Sequence, residues 1–295
     1  MEIIMHSFLR AIGFSQLKDR KDLDRVIGDI MNDPSVKSQA ELSPRQKYTE
    51  MSKAFGERIG ITIRGEYDEL GFFHLEHYFP YCLGKLISVK EAIMINKRID
   101  TDAYTGMCDD MRLGVSLIFY LQNAVDYLCS KNPVGAPHFS SVTLSALSIE
   151  GKILLGLDPD DNAEKQRNDS TRRHRQLLSE AQSGNQEAID SLTIEEIDTF
   201  AMVNRRIRKE DLYSIVESSF IPYGSESDNY TLIGTILNWK IIQNTVTGEE
   251  IYELILNCND LMFNLCINKN DLLGEPMIGR RFKGYVWMQG YVRFS

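Results

Sequence analysis

The last segment of the chain places cations and aromatic rings at alternate positions, a pattern that could bind nucleic acid. From residue 281 onward the residues alternate between an apolar face and a polar, aromatic face. The polar face contains Arg281, Lys283, Tyr285, Trp287, Gln289, Tyr291 and Arg293. Cations bind phosphates and rings stack on bases, so such a face could bind single strands or another anion. We predict Arg281, Lys283, Tyr285, Trp287 and Gln289 as binding residues.

The alternative is that these rings pack against another part of the protein while the cations reach solvent. Residues 221–295 contain six Lys and Arg residues against eight Asp and Glu residues, a net charge of −2. This charge argues against phosphate binding and favours packing. We therefore favour a protein partner or self-association over nucleic acid.

A second group of polar residues could bind a metal ion. Its members are Glu66, Asp68, Glu69, His74, Glu76 and His77. In a strand, His74 and Glu76 would share one face, as two ligands must, but His77 would lie on the opposite face. No HExxH-like spacing supports a site. We predict an exposed polar strand here, and no metal.

Paired carboxylates at Asp109 and Asp110 could act as acid and base, with His74 as a partner. An enzyme with an acidic and histidine site near Asp109 and His74 is thus one hypothesis. The alternative is that both carboxylates cap the helix predicted to begin at residue 111. Cys108 at that helix start would then have a lowered pKa.

Two short basic runs, residues 172–175 and 205–209, could meet phosphate or an acidic partner, or be solvated helix ends. The sequence contains no P-loop, GxGxxG, GxSxG or kinase-like motif. We predict no cofactor. Whether the protein is an enzyme stays open, and the lack of these motifs favours a protein that is not one.

Size and composition are those of a soluble globular protein. The chain has 295 residues, a net charge of −9 and five scattered cysteines without a CxxC pair. Such cysteines are typical of reduced thiols in the cytosol. The first 14 residues resemble no signal peptide, and no apolar run is long enough to span a bilayer. We predict a cytoplasmic protein that does not contact a membrane.

These side chains must be positioned by a mixture of strands and helices. Residues 18–31 are predicted as a helix and 35–45 as a loop; 6–14 could be a short strand or a helix. Residues 59–63 and 72–79 alternate like paired strands, and 89–99 favours a strand. Residues 111–129 form the strongest helical pattern, ended by Asn132-Pro133. A hairpin is predicted at 141–157 with its turn at Glu150-Gly151.

The second half begins with a charged segment and ends in strands. Residues 158–175 are predicted as a linker, followed by short helices at 176–183, 186–192 and 193–208. Strands are predicted at 230–243, 252–258, 261–267 and 281–294, with turns at 247–248 and 259–260 and a helical turn at 271–273.

Several segments carry a resemblance to an uncharacterised bacterial family. They include HSFLRAIGF from His6, CDDMRLGVSLIFYLQN from Cys108 and GRRFKGYVWMQG from Gly279. The chain resembles domain-of-unknown-function family thirty-eight eighty-one over nearly its full length. The resemblance implies a whole protein, and it brings no activity, ligand or catalytic residue with it.

We predict an α+β protein with three parts. Residues 1–157 form a strand-rich domain around helix 111–129, residues 158–219 a linker with short helices, and residues 220–295 a small curled β-sheet or OB-like barrel. The last part could also pack on the first. We predict a non-catalytic binding or scaffold protein, with the nucleic-acid binder and the enzyme as alternatives.

Overall fold

In a computed structural model of the chain, the described residues are 6–17, 19–43, 46–98, 103–110, 112–113, 115–130, 138–155, 180, 185–186, 218–224 and 227–294. Residues Met1–Leu154 and Ser218–Ser295 form one compact unit, and Leu155–Glu217 form a second. The second unit lies almost wholly outside the described residues. The predicted linker at 158–175 is outside them, as are nearly all residues of the predicted helices at 176–208.

Strands dominate the described residues. The helices are α1 (Arg20–Asn32) and α2 (Ala124–Cys129), with 3₁₀ turns at Ser7–Ile12 and Lys269–Asp271. The strands are β1 (Val36–Ser43), β2 (Gln46–Gly56), β3 (Ile59–Tyr67), β4 (Phe73–Cys82), β5 (Val89–Lys97), β6 (Tyr104–Asp110), β7 (Val115–Leu121), β8 (His138–Leu154), β9 (Ser219–Pro222), β10 (Asn229–Gln243), β11 (Glu250–Cys258), β12 (Leu261–Asn268), β13 (Leu272–Leu273) and β14 (Arg281–Arg293). Both helices and strands are present, but the N-terminal region is mostly sheet. No helix among these residues is long and apolar enough to cross a membrane.

Helix α1 forms where the sequence predicts it. Asp19 precedes it and its side chain accepts a hydrogen bond from the backbone N–H of Asp22 (3.0 Å), which satisfies a free donor of the first turn. Leu23, Ile27 and Ile30 lie on one face and are buried. The short segment at 6–14, which sequence left open, is a 3₁₀ turn at Ser7–Ile12.

Strands β1 to β4 form an antiparallel sheet in sequential order. The predicted pair at 59–63 and 72–79 is confirmed by β3 and β4, and Ile59, Ile61 and Ile63 are buried. The loop predicted at 35–45 is wrong, because most of it is β1. That strand lies at the sheet edge with nearly every side chain exposed, so its composition resembles that of a loop.

The other described strands form a larger sheet that closes on itself twice. One ring runs β10–β11–β12–β8–β14 and back to β10. The other runs β8–β5–β6–β7–β14 and back to β8. The long strands β8 and β14 are shared by both rings. Strands from residues 220–295 therefore lie in the same sheet as strands from residues 1–157.

The helix predicted at 111–129 is wrong. Of its described residues, 112–113 lie between β6 and β7, 115–121 form strand β7, and 124–129 form the short helix α2. Leu117, Phe119 and Leu121 are buried at alternate positions, whereas Ser116 is exposed. The apolar run satisfies both periods, and pairing with β6 and β14 selects the strand.

The hairpin predicted at 141–157 is also wrong, because β8 continues through Gly151. A side chain at Gly151 would lie 2.4 Å from the ring of Phe282 on β14. The glycine therefore serves close packing between strands and makes no turn. The register between β8 and β14 shifts next to it, between Tyr285 and Val286.

The C-terminal strands agree closely with the sequence pattern. Strands β10, β11, β12 and β14 are confirmed, and so is the turn at Asn259 and Asp260, which have φ of 51° and 62°. The predicted helical turn at 271–273 is displaced to Lys269–Asp271. On β14, Phe282, Val286 and Met288 are buried as expected.

Candidate functional site

The polar face of β14 is covered over much of its length. Gln289 is fully buried, donates to the carbonyl of Pro80 (2.8 Å) and accepts from the amide of Gln122 (2.8 Å). Arg281 is 3% exposed and Trp287 is 5% exposed. The other two predicted binding residues, Lys283 and Tyr285, are half-buried. Of the five predicted residues, Trp287 lines a pocket.

This pocket, which we call the Trp287 pocket, has a volume of about 300 Å³. It lies between the 3₁₀ turn at Ser7–Ile12, β4, β7, β14 and the residues that end β5 and begin β10. Its lining is His6, Ser7, Phe8, His77, Tyr78, Phe79, Arg98, Ala103, Tyr120, Asp228, Asn229 and Trp287. The two sheets thus meet here, with the N-terminal segment as a further wall.

Aromatic rings form most of the pocket wall. The ring centroid of Trp287 lies 4.7 Å from that of His6, 5.0 Å from that of Tyr120 and 5.5 Å from that of Phe8. The ring centroid of Phe79 lies 4.7 Å from that of Tyr120. These separations are those of contacting rings, so the aromatic groups support each other.

An ion pair stands beside the rings. The guanidinium of Arg98 donates to Oδ2 of Asp228 (2.6 Å), and the indole N–H of Trp287 donates to the same oxygen (2.9 Å). The amide of Asn229 donates to Oδ1 (3.2 Å). Asp228 therefore fixes both the plane of the indole and one end of Arg98.

Tyr120 is held from behind by a buried ion pair. Arg64 has no exposed surface, and its Nε lies 2.5 Å from Oε1 of Glu50. It also donates to the hydroxyl of Tyr120 (2.9 Å) and to the carbonyl of Leu121 (2.9 Å). Burial raises the pKa of Glu50, and the charge of Arg64 opposes this. The Arg64–Glu50 pair therefore fixes the position of Tyr120, which lines the pocket.

Two ionisable groups of the pocket wall, His6 and Tyr120, favour their neutral forms near pH 7. Burial lowers the pKa of His6 to about 4 and raises that of Tyr120 well above its usual value. Nδ1 of His6 faces the backbone N–H of Phe8 (3.4 Å). Nε2 of His77 lies 3.0 Å from the hydroxyl of Tyr120. At neutral pH, His6 thus presents an uncharged ring.

The other predicted clusters are separated in the structure. His74 is exposed on β4 and contacts Asp68 (2.8 Å), while His77 lines the Trp287 pocket. Asp109 is on β6, in the other sheet, and accepts a hydrogen bond from Ser116 (2.6 Å). Within the described residues, no group of three or more His, Cys, Asp or Glu could hold a metal ion.

The roles predicted for Cys108 to Asp110 at a helix start are wrong, because these residues lie in β6. Asp110 is buried and pairs with Arg112 (2.5 Å), which lowers the pKa of Asp110 against the effect of burial. Burial raises the pKa of Cys108 to about 12, opposite to the expected direction. A thiol in this state is not activated for attack.

Sequence reasoning missed Arg98, Asp228 and Tyr120 as pocket residues. Each lies in a segment without a motif, and 130 residues separate Arg98 from Asp228 along the chain. The sequence contained one indication of the pocket: Trp287, which we predicted as a binding residue because of its aromatic ring.

Comparison with known proteins identifies a family and no activity. A family model described as "Domain of unknown function, E. rectale Gene description (DUF3881)" matches residues 9–290. The chain belongs to this family, which confirms the resemblance seen in its segments. No curated protein and no solved structure matches the chain.

Proposed function

We propose that this member of the DUF3881 family is a small-molecule-binding protein that takes a planar aromatic ligand into the Trp287 pocket. The observation that carries the proposal is the wall of rings around Trp287. The proposal agrees with the sequence-based expectation of a binding protein without catalysis.

The size and lining of the pocket support this function. Its volume of about 300 Å³ lies at the lower end of the range for small-molecule sites, which combine apolar walls with a few polar groups. A planar ligand can contact the faces or edges of Trp287, Tyr120 and Phe8. The uncharged ring of His6 adds surface without the desolvation cost of a cation.

The pocket is also held in shape by bonds that a ligand need not form. The Asp228 carboxylate orients the indole of Trp287, and Arg64 orients the hydroxyl of Tyr120. A preformed wall reduces the entropy that binding must overcome. The structure therefore supports binding of a rigid, flat molecule over a flexible chain.

The test uses intrinsic fluorescence, because the chain contains two tryptophans. Trp239 is on β10, is 36% exposed and does not line the pocket. In Trp239→Phe, all tryptophan emission comes from Trp287. Titration with benzoate, benzamide and quinoline should give at least one saturable change in emission, and binding of indole-3-acetate and indole-3-acetamide, which emit in the same range as tryptophan, is followed by calorimetry.

The matched control is Trp287→Phe, in which Trp239 reports. The same ligands should leave its emission unchanged apart from linear quenching. If no ligand gives a saturable change in Trp239→Phe up to millimolar concentration, the proposed function is wrong.

Nucleic-acid binding through the last strand remains a proposal with less support. It required an open row of rings and cations, and Trp287 and Gln289 are buried. Lys283 and Tyr285 are half-buried and Tyr291 is exposed. A labelled single strand that bound at low salt and dissociated as salt rose would support it.

Three further proposals concern organisation and location. We propose the partition into residues 1–157, 158–219 and 220–295 on the basis of composition, with the last part packed on the first, which agrees with their strands lying in one sheet. We propose that the ring of β10, β11, β12, β8 and β14 is an OB-like barrel, supported by its closed five-strand pairing. We propose a bacterial, cytoplasmic protein, supported by five cysteines that are all free thiols.

A further inference from the structure

We infer that the ligand of the Trp287 pocket carries a carboxylate, and that Arg98 binds it. This inference rests on the proposed function and names its ligand class. Three observations carry it: the donors left on Arg98, the saturation of Asp228, and the absence of another exposed charge in the described pocket lining.

Arg98 has donors to spare. A guanidinium has five N–H groups, and Nη2 of Arg98 uses one on Asp228. Within the part of the chain that the structure describes, no other acceptor is recorded for its side chain. The side chain is one-third exposed although it lines the pocket. A ligand oxygen can therefore reach N–H groups that already have a fixed orientation.

Asp228 cannot serve as the ligand-binding charge. Its side chain is 4% exposed, and it accepts from Arg98, Trp287 and Asn229. A cationic ligand would thus meet the guanidinium before it met the carboxylate. The rings alone would suit a quaternary ammonium group, but Arg98 repels one.

The choice of a monoanion follows from charge balance. Arg98 and Asp228 together are neutral, and burial keeps His6 uncharged near pH 7. One carboxylate matches the fork of the guanidinium in shape and adds a single charge. A phosphate dianion would add a second charge close to Asp228 without a second cation in the described lining.

The experiment compares two ligands of nearly the same shape by isothermal titration calorimetry, because both contain the fluorescent indole of tryptophan. Indole-3-acetate and indole-3-acetamide differ in charge at one end. The acetate should bind roughly 10- to 100-fold more tightly, because only its carboxylate adds an opposite charge and a second acceptor to the fork of the guanidinium. Benzoate against benzamide repeats the comparison on a smaller ring.

Variants then assign the preference to Arg98. In Arg98→Gln/Asp228→Asn, both charges are removed together, so no buried charge is left without a partner. This variant should bind the acetate and the acetamide with equal affinity, so the ratio of the two affinities is the readout and not the affinity for either ligand. Arg20→Gln/Asp24→Asn, which removes an exposed ion pair on α1 with the same zero change in net charge, should keep the full preference.

The outcomes separate the two proposals. Equal affinity for acetate and acetamide would overturn the inference and leave the aromatic pocket intact. A preference that survives in Arg98→Gln/Asp228→Asn would also overturn it, as would tighter binding of phenyl phosphate than of benzoate. Failure of every aromatic ligand would instead remove the proposed function itself.

Discussion

Replacing Arg64 by methionine should destabilise the fold more than most single substitutions. Arg64 is wholly buried, and the change leaves the carboxylate of Glu50 without its cation in a nearly dry site. It also removes the N–H groups that donate to the hydroxyl of Tyr120 and to the carbonyls of Leu121 and Gln122. Breaking one partner of a buried ion pair costs about 3–5 kcal/mol. For a unit of this size that predicts a fall in Tm of about 6–20 °C.

The assay is thermal unfolding by calorimetry, with a double-mutant cycle. In Glu50→Gln/Arg64→Met both charges are absent, so part of the stability lost in Arg64→Met should return. The exposed Arg25→Met on α1 is the control and should change stability by less than about 0.5 kcal/mol.

The cost should also depend on pH, with a definite sign. Burial raises the pKa of Glu50, so the folded state retains a proton that the unfolded state loses above its ordinary value of 4.5. The free energy of unfolding therefore falls as pH rises from about 4.5 to the raised pKa of Glu50 in the folded state. Without Arg64 the folded pKa rises further, so the deficit of Arg64→Met should be larger at pH 7 than at pH 5.

Two results would refute this reasoning. One is an Arg64→Met protein whose Tm matches that of Arg25→Met. The other is a double variant less stable than Arg64→Met itself, which would show that Glu50 is not the source of the penalty.

Three further predictions concern packing, thiols and histidine. In Gly290→Ala the new carbon would meet the ring of Phe119 at 2.4 Å, so the free energy of unfolding should fall by about 1–3 kcal/mol. In the control Gly28→Ala, the new carbon enters open space in α1, so the free energy of unfolding should rise by about 0.5–1 kcal/mol. Both are measured by urea titration, and equal effects would contradict the packing argument. Cys129 is exposed and the other four thiols are buried, so a disulfide reagent at pH 8 should modify one thiol rapidly and all five in guanidinium; two fast thiols would be inconsistent with this burial. Because the pKa of His6 is about 4 in the folded state, stability should fall as pH drops from about 6.5 to about 4, by up to about 3 kcal/mol, and an unchanged slope in His6→Gln would exclude His6 as its source.

Sequence patterns predicted those elements whose residues settle their own geometry. Helix α1 has a capping aspartate and one buried stripe, and both features are local. The turn at Asn259 and Asp260 depends on residue types that tolerate positive φ. The sequence of strand β14 alternates between apolar and polar or aromatic residues over 13 positions, which is the period of a strand and not of a helix.

Segments with more than one acceptable period were decided by their neighbours. Residues 115–121 are apolar enough for a buried helix, and they are a strand because β6 and β14 lie on either side. Residues 36–43 are polar enough for a loop, and they are a strand because β2 offers its edge. Strand pairing is a contact between distant residues, so a local pattern does not contain it.

The Trp287 pocket divides in the same way. The sequence by itself determined that residue 287 would be a ring on the less apolar face of a strand. Only the tertiary structure decided that this face is covered, and that Tyr120, Arg98 and Asp228 surround the indole. The reason is that β14 is shared by both closed rings and packs against the N-terminal segment, and each of those contacts joins residues far apart in the chain.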